Sequence, residues 1–124
     1  MINQLAKQIH DNAVKKGFWV DDNFAAKIML VVTELSESVE AHRNNDYKAI
    51  DSKLYEYLKE IESNNYIFNE TFKNKVKDGV FDEIADAIIR LLDISAHLNM
   101  DVEKHIEMKM QYNLGRGYLH GKEY

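Results

Sequence analysis

At 124 residues, with 21 acidic against 16 basic side chains and a formal charge of -5, the chain has the size of one domain. That charge argues against a nonspecific grip on a nucleic-acid polymer, which draws its strength from basic clusters, while a free nucleotide carrying Mg2+ stays compatible. There is no cysteine, nothing that reads as a secretory leader and no charge-free apolar run near the ~18 residues of a membrane span, so a soluble, cytoplasmic protein without a membrane partner is expected.

Proline is absent and glycine is confined to Gly17, Gly79, Gly115, Gly117 and Gly121, a composition that reads as all-α. A first helix is expected over 2–16, with Leu5, Ile9 and Ala13 inward and Gly17 as its stop. Phe18 and Trp19 then fall in a short connection. Asp21 or Asp22 can cap a second helix reaching Arg43, whose Phe24, Ile28, Val31, Leu35 and Val39 keep helical spacing, with Met29, Leu30 and Val32 on its flanks.

A third, ordinary amphipathic helix is expected over 46–62 from Tyr47, Ile50, Leu54, Tyr57, Leu58 and Ile61. The Asn44-Asn45 and Asn64-Asn65 patches look like punctuation between helices, and 64–77 offers one or two turns through Phe68, Phe72 and Val76. The fourth helix, over 80–98, is apolar on most of its circumference. Its polar stripe, Glu83, Asp86, Arg90, Asp93 and His97, runs at steps of three and four. Asp101 caps a last helix to Leu114, followed by a glycine-punctuated basic tail. No repeat or linker divides this sequence, so one domain over 1–124 is expected, a bundle of about five helices.

Two acidic pairs stand inside the two most apolar helices: Glu34-x-x-Glu37 and Glu83-x-x-Asp86. At a spacing of three, each pair projects within about 60° around its helix and can grip one cation. Like charges so placed cost a helix roughly 0.2 to 0.5 kcal/mol when exposed, and more when buried without a counter-charge. A cation offsets that cost. Four carboxylates without sulfur make a hard oxygen site, suited to Mg2+ with Mn2+ as a substitute, and magnesium commonly recruits substrate phosphates. Glu40 lies one step further around the helix, placed as a ligand, a base or plain surface. Arg90 suits either an ion pair or a phosphate contact, and Asp93 and His97 fit structural roles.

This placing of the acidic pairs, with the stretch 77–122 that contains DEIADAIIRLLDIS and KMQYNLGRGYLHGK, resembles the MazG-like, all-α nucleoside triphosphate pyrophosphohydrolases of bacteria and their phages. The resemblance covers most of the chain. It implies that Glu34, Glu37, Glu83 and Asp86 hold Mg2+ and that a nucleoside triphosphate is cut between its α and β phosphates, giving a nucleoside monophosphate and pyrophosphate. Glu37 or Glu40 would take the proton of the attacking water.

His10 and Trp19 match the His and Trp that dCTP-preferring members set around the base, and Lys109 and Asn113 fall where the family turns a basic or polar pair toward the nucleotide. Arg116 and Lys122 can reach phosphate from the tail. Two departures stand out: a long insert holding the 47–61 helix separates the acidic motifs, and Arg90 replaces a tyrosine of the dCTP-preferring relatives, which leaves the preferred base open.

Competing readings are a ferritin-like di-iron protein, which calls for Glu-x-x-His pairs that are missing here, and a helical assembly module without catalysis. The second and fourth helices are too apolar for one short chain to cover. A homodimer or homotetramer is therefore expected.

Overall fold

The structure, a computed structural model, describes residues 1–123, and among these every regular element is helical. In chain order they are α1 (Ile2–Lys15), α2 (Phe24–Arg43), α3 (Ser52–Ile61), α4 (Asn65–Lys75), α5 (Val80–His97) and α6 (Val102–Leu114), with a short 3-10 turn at Tyr118–Gly121. The all-α expectation holds. No described helix is long and apolar enough to cross a membrane.

Four of the helix starts follow one rule: an Asn or Asp side chain accepts the backbone N–H three residues on, satisfying a donor that the first turn leaves open. Asn23 does this for Ala26, Asp51 for Leu54, Asn64 for Ile67 and Asp101 for Lys104. Asp101 is the expected cap, but α2 begins from Asn23 rather than from Asp21 or Asp22. Asn64, read as punctuation, instead opens a full helix, α4, on which Phe68 and Phe72 lie one turn apart with stacked rings 6.1 Å between centroids. That helix raises the count to six.

The third helix is shorter than expected, because residues 46–51 are spent on a backbone crossing. Asp46 donates its N–H to the Ala41 carbonyl at 2.9 Å and accepts the Val80 N–H at 2.8 Å, joining the end of α2 to the start of α5. Lys48 takes a positive φ of 47° and its Nζ donates to the Lys77 carbonyl at 2.9 Å. Gly79 makes the crossing possible: a Cβ there would stand 2.7 Å from the Tyr47 carbonyl oxygen, so a side chain is sterically barred.

The chain divides into two compact units, Asn23–Leu91 and a second formed by Met1–Asp22 with the residues from Leu92 onward. In the latter, Ala6, Leu92 and Val102 form a buried cluster with Ile9 and Ala96 packed on it. The inward face of α1 thus runs through Ala6 and Ile9, and Leu5, expected inside, is 49% exposed on the neighbouring face. Asn3 ties α1 to the start of α6: its Oδ1 accepts the Val102 N–H at 2.9 Å and its Nδ2 donates to Asp101 at 2.9 Å. The terminal ammonium pairs with Glu103.

In Asn23–Leu91 the buried apolar residues are Val31, Ala41, Leu58, Val76, Val80 and Ala87. Phe24, Leu35 and Val39, expected in the core, are each about half exposed on α2, as are Ile84, Ile88 and Ile89 on α5. The helical period is right, but within one chain these residues have little to pack against.

Candidate metal centre

The crossing at Gly79 sets the first turns of α5 beside α2, and the acidic motifs meet there. Oxygens of Glu34, Glu83 and Asp86 all lie within 4.8 Å of one another, a spacing that can hold a metal ion. Glu34 and Glu83 are only 8% and 4% exposed, the two buried charged residues of the described chain. Carboxylates buried that deeply are costly unless paired or coordinated. The donor set is entirely oxygen, which fits a hard divalent ion such as Mg2+ or Mn2+ and not a thiolate- or imidazole-seeking metal.

Two compensations are visible. Arg90 Nε donates to Glu34 Oε1 at 2.7 Å, a half-buried ion pair reaching from α5 to α2. Burial pushes the Glu34 carboxyl up, but the hydrogen bonds from Arg90 and Glu83 and the charge of Arg90 outweigh it and leave Glu34 below its ordinary value. The second compensation is a proton. Burial first, then the hydrogen bonds and charges of Glu37 and Glu34, raise Glu83 from 4.5 to about 8, so it is protonated at neutral pH. Asp86 is raised too, by burial and by the charges of Asp82 and Glu34, with Arg90 opposing. Arg90 and the Glu83 proton thus supply the positive charge that the cluster calls for.

Glu37 falls outside the set of three. It is exposed on α2 and lines an open cleft of about 360 Å3 with Glu40, Asp78 and Glu83. Glu40 makes a long surface pair with Arg43 at 3.6 Å. Asp78 and Asp82 were not singled out from the sequence, yet with Glu83 they form a second group whose oxygens lie within 4.8 Å. Their signal was present as Asp82 directly before Glu83 and Asp78 just ahead of the helix, but Asp82 also accepts the Asp78 N–H at 2.9 Å, an ordinary way to close a helix start.

The remaining candidates belong to the other unit. His10 Nδ1 lies 2.7 Å from Asp93 Oδ1, and Trp19 Nε1 donates to the same carboxylate at 2.9 and 3.1 Å. The Trp19 ring stacks on His97 at 3.9 Å with 13° between planes, and His10 meets both rings edge-on. His10 and Trp19 are therefore brought together, as expected, but around Asp93 and His97. Lys109 Nζ and the Arg116 guanidinium stand over the Tyr112 ring at 4.8 and 5.3 Å. Asn113 Oδ1 is buried without a hydrogen-bond partner among the described residues. Lys122 follows the 3-10 turn, its N–H donating to the Leu119 carbonyl.

Compared with protein-family models, with curated proteins and with solved structures, the chain matches none.

Proposed function

We propose that the chain is a metal-dependent nucleoside triphosphate pyrophosphohydrolase of the MazG-like kind, releasing a nucleoside monophosphate and pyrophosphate. The observation that supports it most is the convergence of Glu34 on α2 with Glu83 and Asp86 on α5, residues more than forty positions apart in sequence, into one largely buried oxygen cluster. Gathering three carboxylates has a cost that Arg90 and the Glu83 proton meet in the metal-free chain, and that a bound cation would meet in place of the proton.

In this reading Glu34, Glu83 and Asp86 hold Mg2+ or Mn2+, with Glu37 beside them. The bound ion would neutralise charge developing on the triphosphate oxygens. Glu83 gives up its proton on loading, so its carboxylate becomes available as a ligand. Arg90 keeps Glu34 ionised and oriented. Glu37 and Glu40 line the cleft beside Glu83, and in this reading one of them would accept the proton of an attacking water.

The same reading takes the chain to be a homo-oligomer, a dimer or a dimer of dimers. Leu35 and Val39 on α2 and Ile84, Ile88 and Ile89 on α5 leave an apolar surface that subunit contact would cover. Sedimentation equilibrium at micromolar concentration tests this, and a fully active monomer would defeat it.

For the activity, the decisive experiment is a panel of canonical and damaged nucleoside triphosphates with Mg2+, followed by phosphorus NMR. Pyrophosphate together with a monophosphate is the expected product pair. Orthophosphate would point to different chemistry, and tight Mn2+ binding without turnover of any nucleotide would favour the assembly module.

A further inference from the structure

Lys48 and Ile50 of the 46–51 crossing, with α4 and α5, enclose a cavity. About 600 Å3 opens between α4 and the first turns of α5, within the range of small-ligand sites. Phe68, Phe72 and Phe81 contribute aromatic surface, and Lys73 and Lys77 stand on the lining. The wall on the α5 side includes Asp86, one of the three clustered carboxylates. Asp86 is thus shared between the cavity and the acidic cluster.

We propose that this cavity is the seat of the nucleobase, a reading that rests on the triphosphate hydrolysis proposed above and adds where the substrate's uncharged end goes. The chemistry matches end to end. A planar base presents π faces that stack on phenylalanine without regard to its hydrogen-bonding edge. The triphosphate it carries must reach a metal held at Asp86, and lysines beside an acidic site in a chain of net charge -5 complement that anion. These lysines now rest on surface acids, Lys73 on Glu70 at 3.8 Å and Lys77 on Asp78 at 3.1 Å. Exposed pairs of that kind contribute little, so a phosphate can take either cation over.

Trp19 is a poorer seat, since one face of its ring is covered by His97 and its indole N–H is spent on Asp93. An apolar side chain from a second copy of the chain could enter the cavity instead, but it would make no use of the lysines and Asp86 on the lining. Base choice then comes from α4 and the 46–51 crossing, with phenylalanine stacking giving breadth.

The test combines steady-state kinetics on the four deoxynucleoside triphosphates with calorimetric binding of their α,β-methylene analogues in Mn2+. The expected result for Phe72→Ala is a KM raised tenfold or more, with kcat within threefold and Mn2+ affinity unchanged. Lys73→Glu, an exposed change that spares the packing, is expected to raise KM in the same direction should Phe72→Ala fold poorly. Unchanged KM in both variants, with the loss appearing in Trp19→Phe instead, would overturn the proposal while leaving the hydrolase reading intact. So would a Phe72→Ala variant that dissociates the oligomer yet binds the analogue normally at each site. Absence of both binding and turnover in the wild-type chain would instead bring down the hydrolase reading, and the nucleobase seat with it.

Discussion

Glu83 and Asp93 are both acids of the polar stripe on α5, and they meet opposite surroundings. Asp93 is met by donors: His10 on one oxygen and the Trp19 indole across both. Glu83 is met by other acids, and its principal relief is to hold a proton up to about pH 8. The contrast separates a carboxylate that organises a structure from one whose surroundings suit a cation. Identical spacing along a helix carries neither meaning by itself; the partners brought from other elements decide.

The strongest way to break this comparison is Asp86→Ala. If the Glu34, Glu83 and Asp86 cluster is a metal centre, loss of one ligand should weaken Mn2+ binding by roughly a hundredfold or more and abolish metal-dependent turnover. Helical content should remain, because a repelling charge has been removed along with the ligand. Isothermal titration calorimetry and far-UV circular dichroism read the two outcomes separately. Near-normal Mn2+ affinity with intact pyrophosphate release would place the site elsewhere.

Titration sharpens it further. The folded chain keeps the Glu83 proton between 4.5 and about 8, whereas the unfolded chain has released it, so metal-free stability should fall as pH rises through that window. The loss should be on the order of a few kcal/mol, read by urea unfolding across pH in the presence of a chelator. Glu34 works in the opposite sense: its lowered value stabilises the fold above 4.5 and is lost as pH falls below it. Glu83→Gln should flatten the slope on the alkaline side only. Mn2+ affinity should climb over the same 4.5-to-8 interval as the competing proton leaves, with proton release on binding. A stability that rises from pH 5 to 8 in metal-free protein would contradict the buried, protonated Glu83.

The smallest effect belongs to the Asp93 side. Trp19→Phe keeps a ring against His97 but removes the indole donor, and should cost about 1 to 2 kcal/mol without changing Mn2+ affinity. Thermal melting with parallel metal titration checks both. A loss of metal affinity equal to that of Asp86→Ala would erase the distinction between the two acids.

The sequence by itself determined the helical character, most helix boundaries to within a residue or two, and three of the acidic residues that cluster, because period and capping are local properties. Asp101 and Glu83-x-x-Asp86 were legible for that reason. The 46–51 crossing was not, since Tyr47 and Ile50 keep a helical rhythm and only contacts with distant residues, Asp46 with Val80 and Tyr47 against Gly79, pull them out of it. Tertiary structure also decided which carboxylates share one space, that Arg90 answers Glu34, and that Trp19 and His10 gather on Asp93. These outcomes depend on which elements approach one another, and an approach is set by long-range packing that no spacing along the chain records.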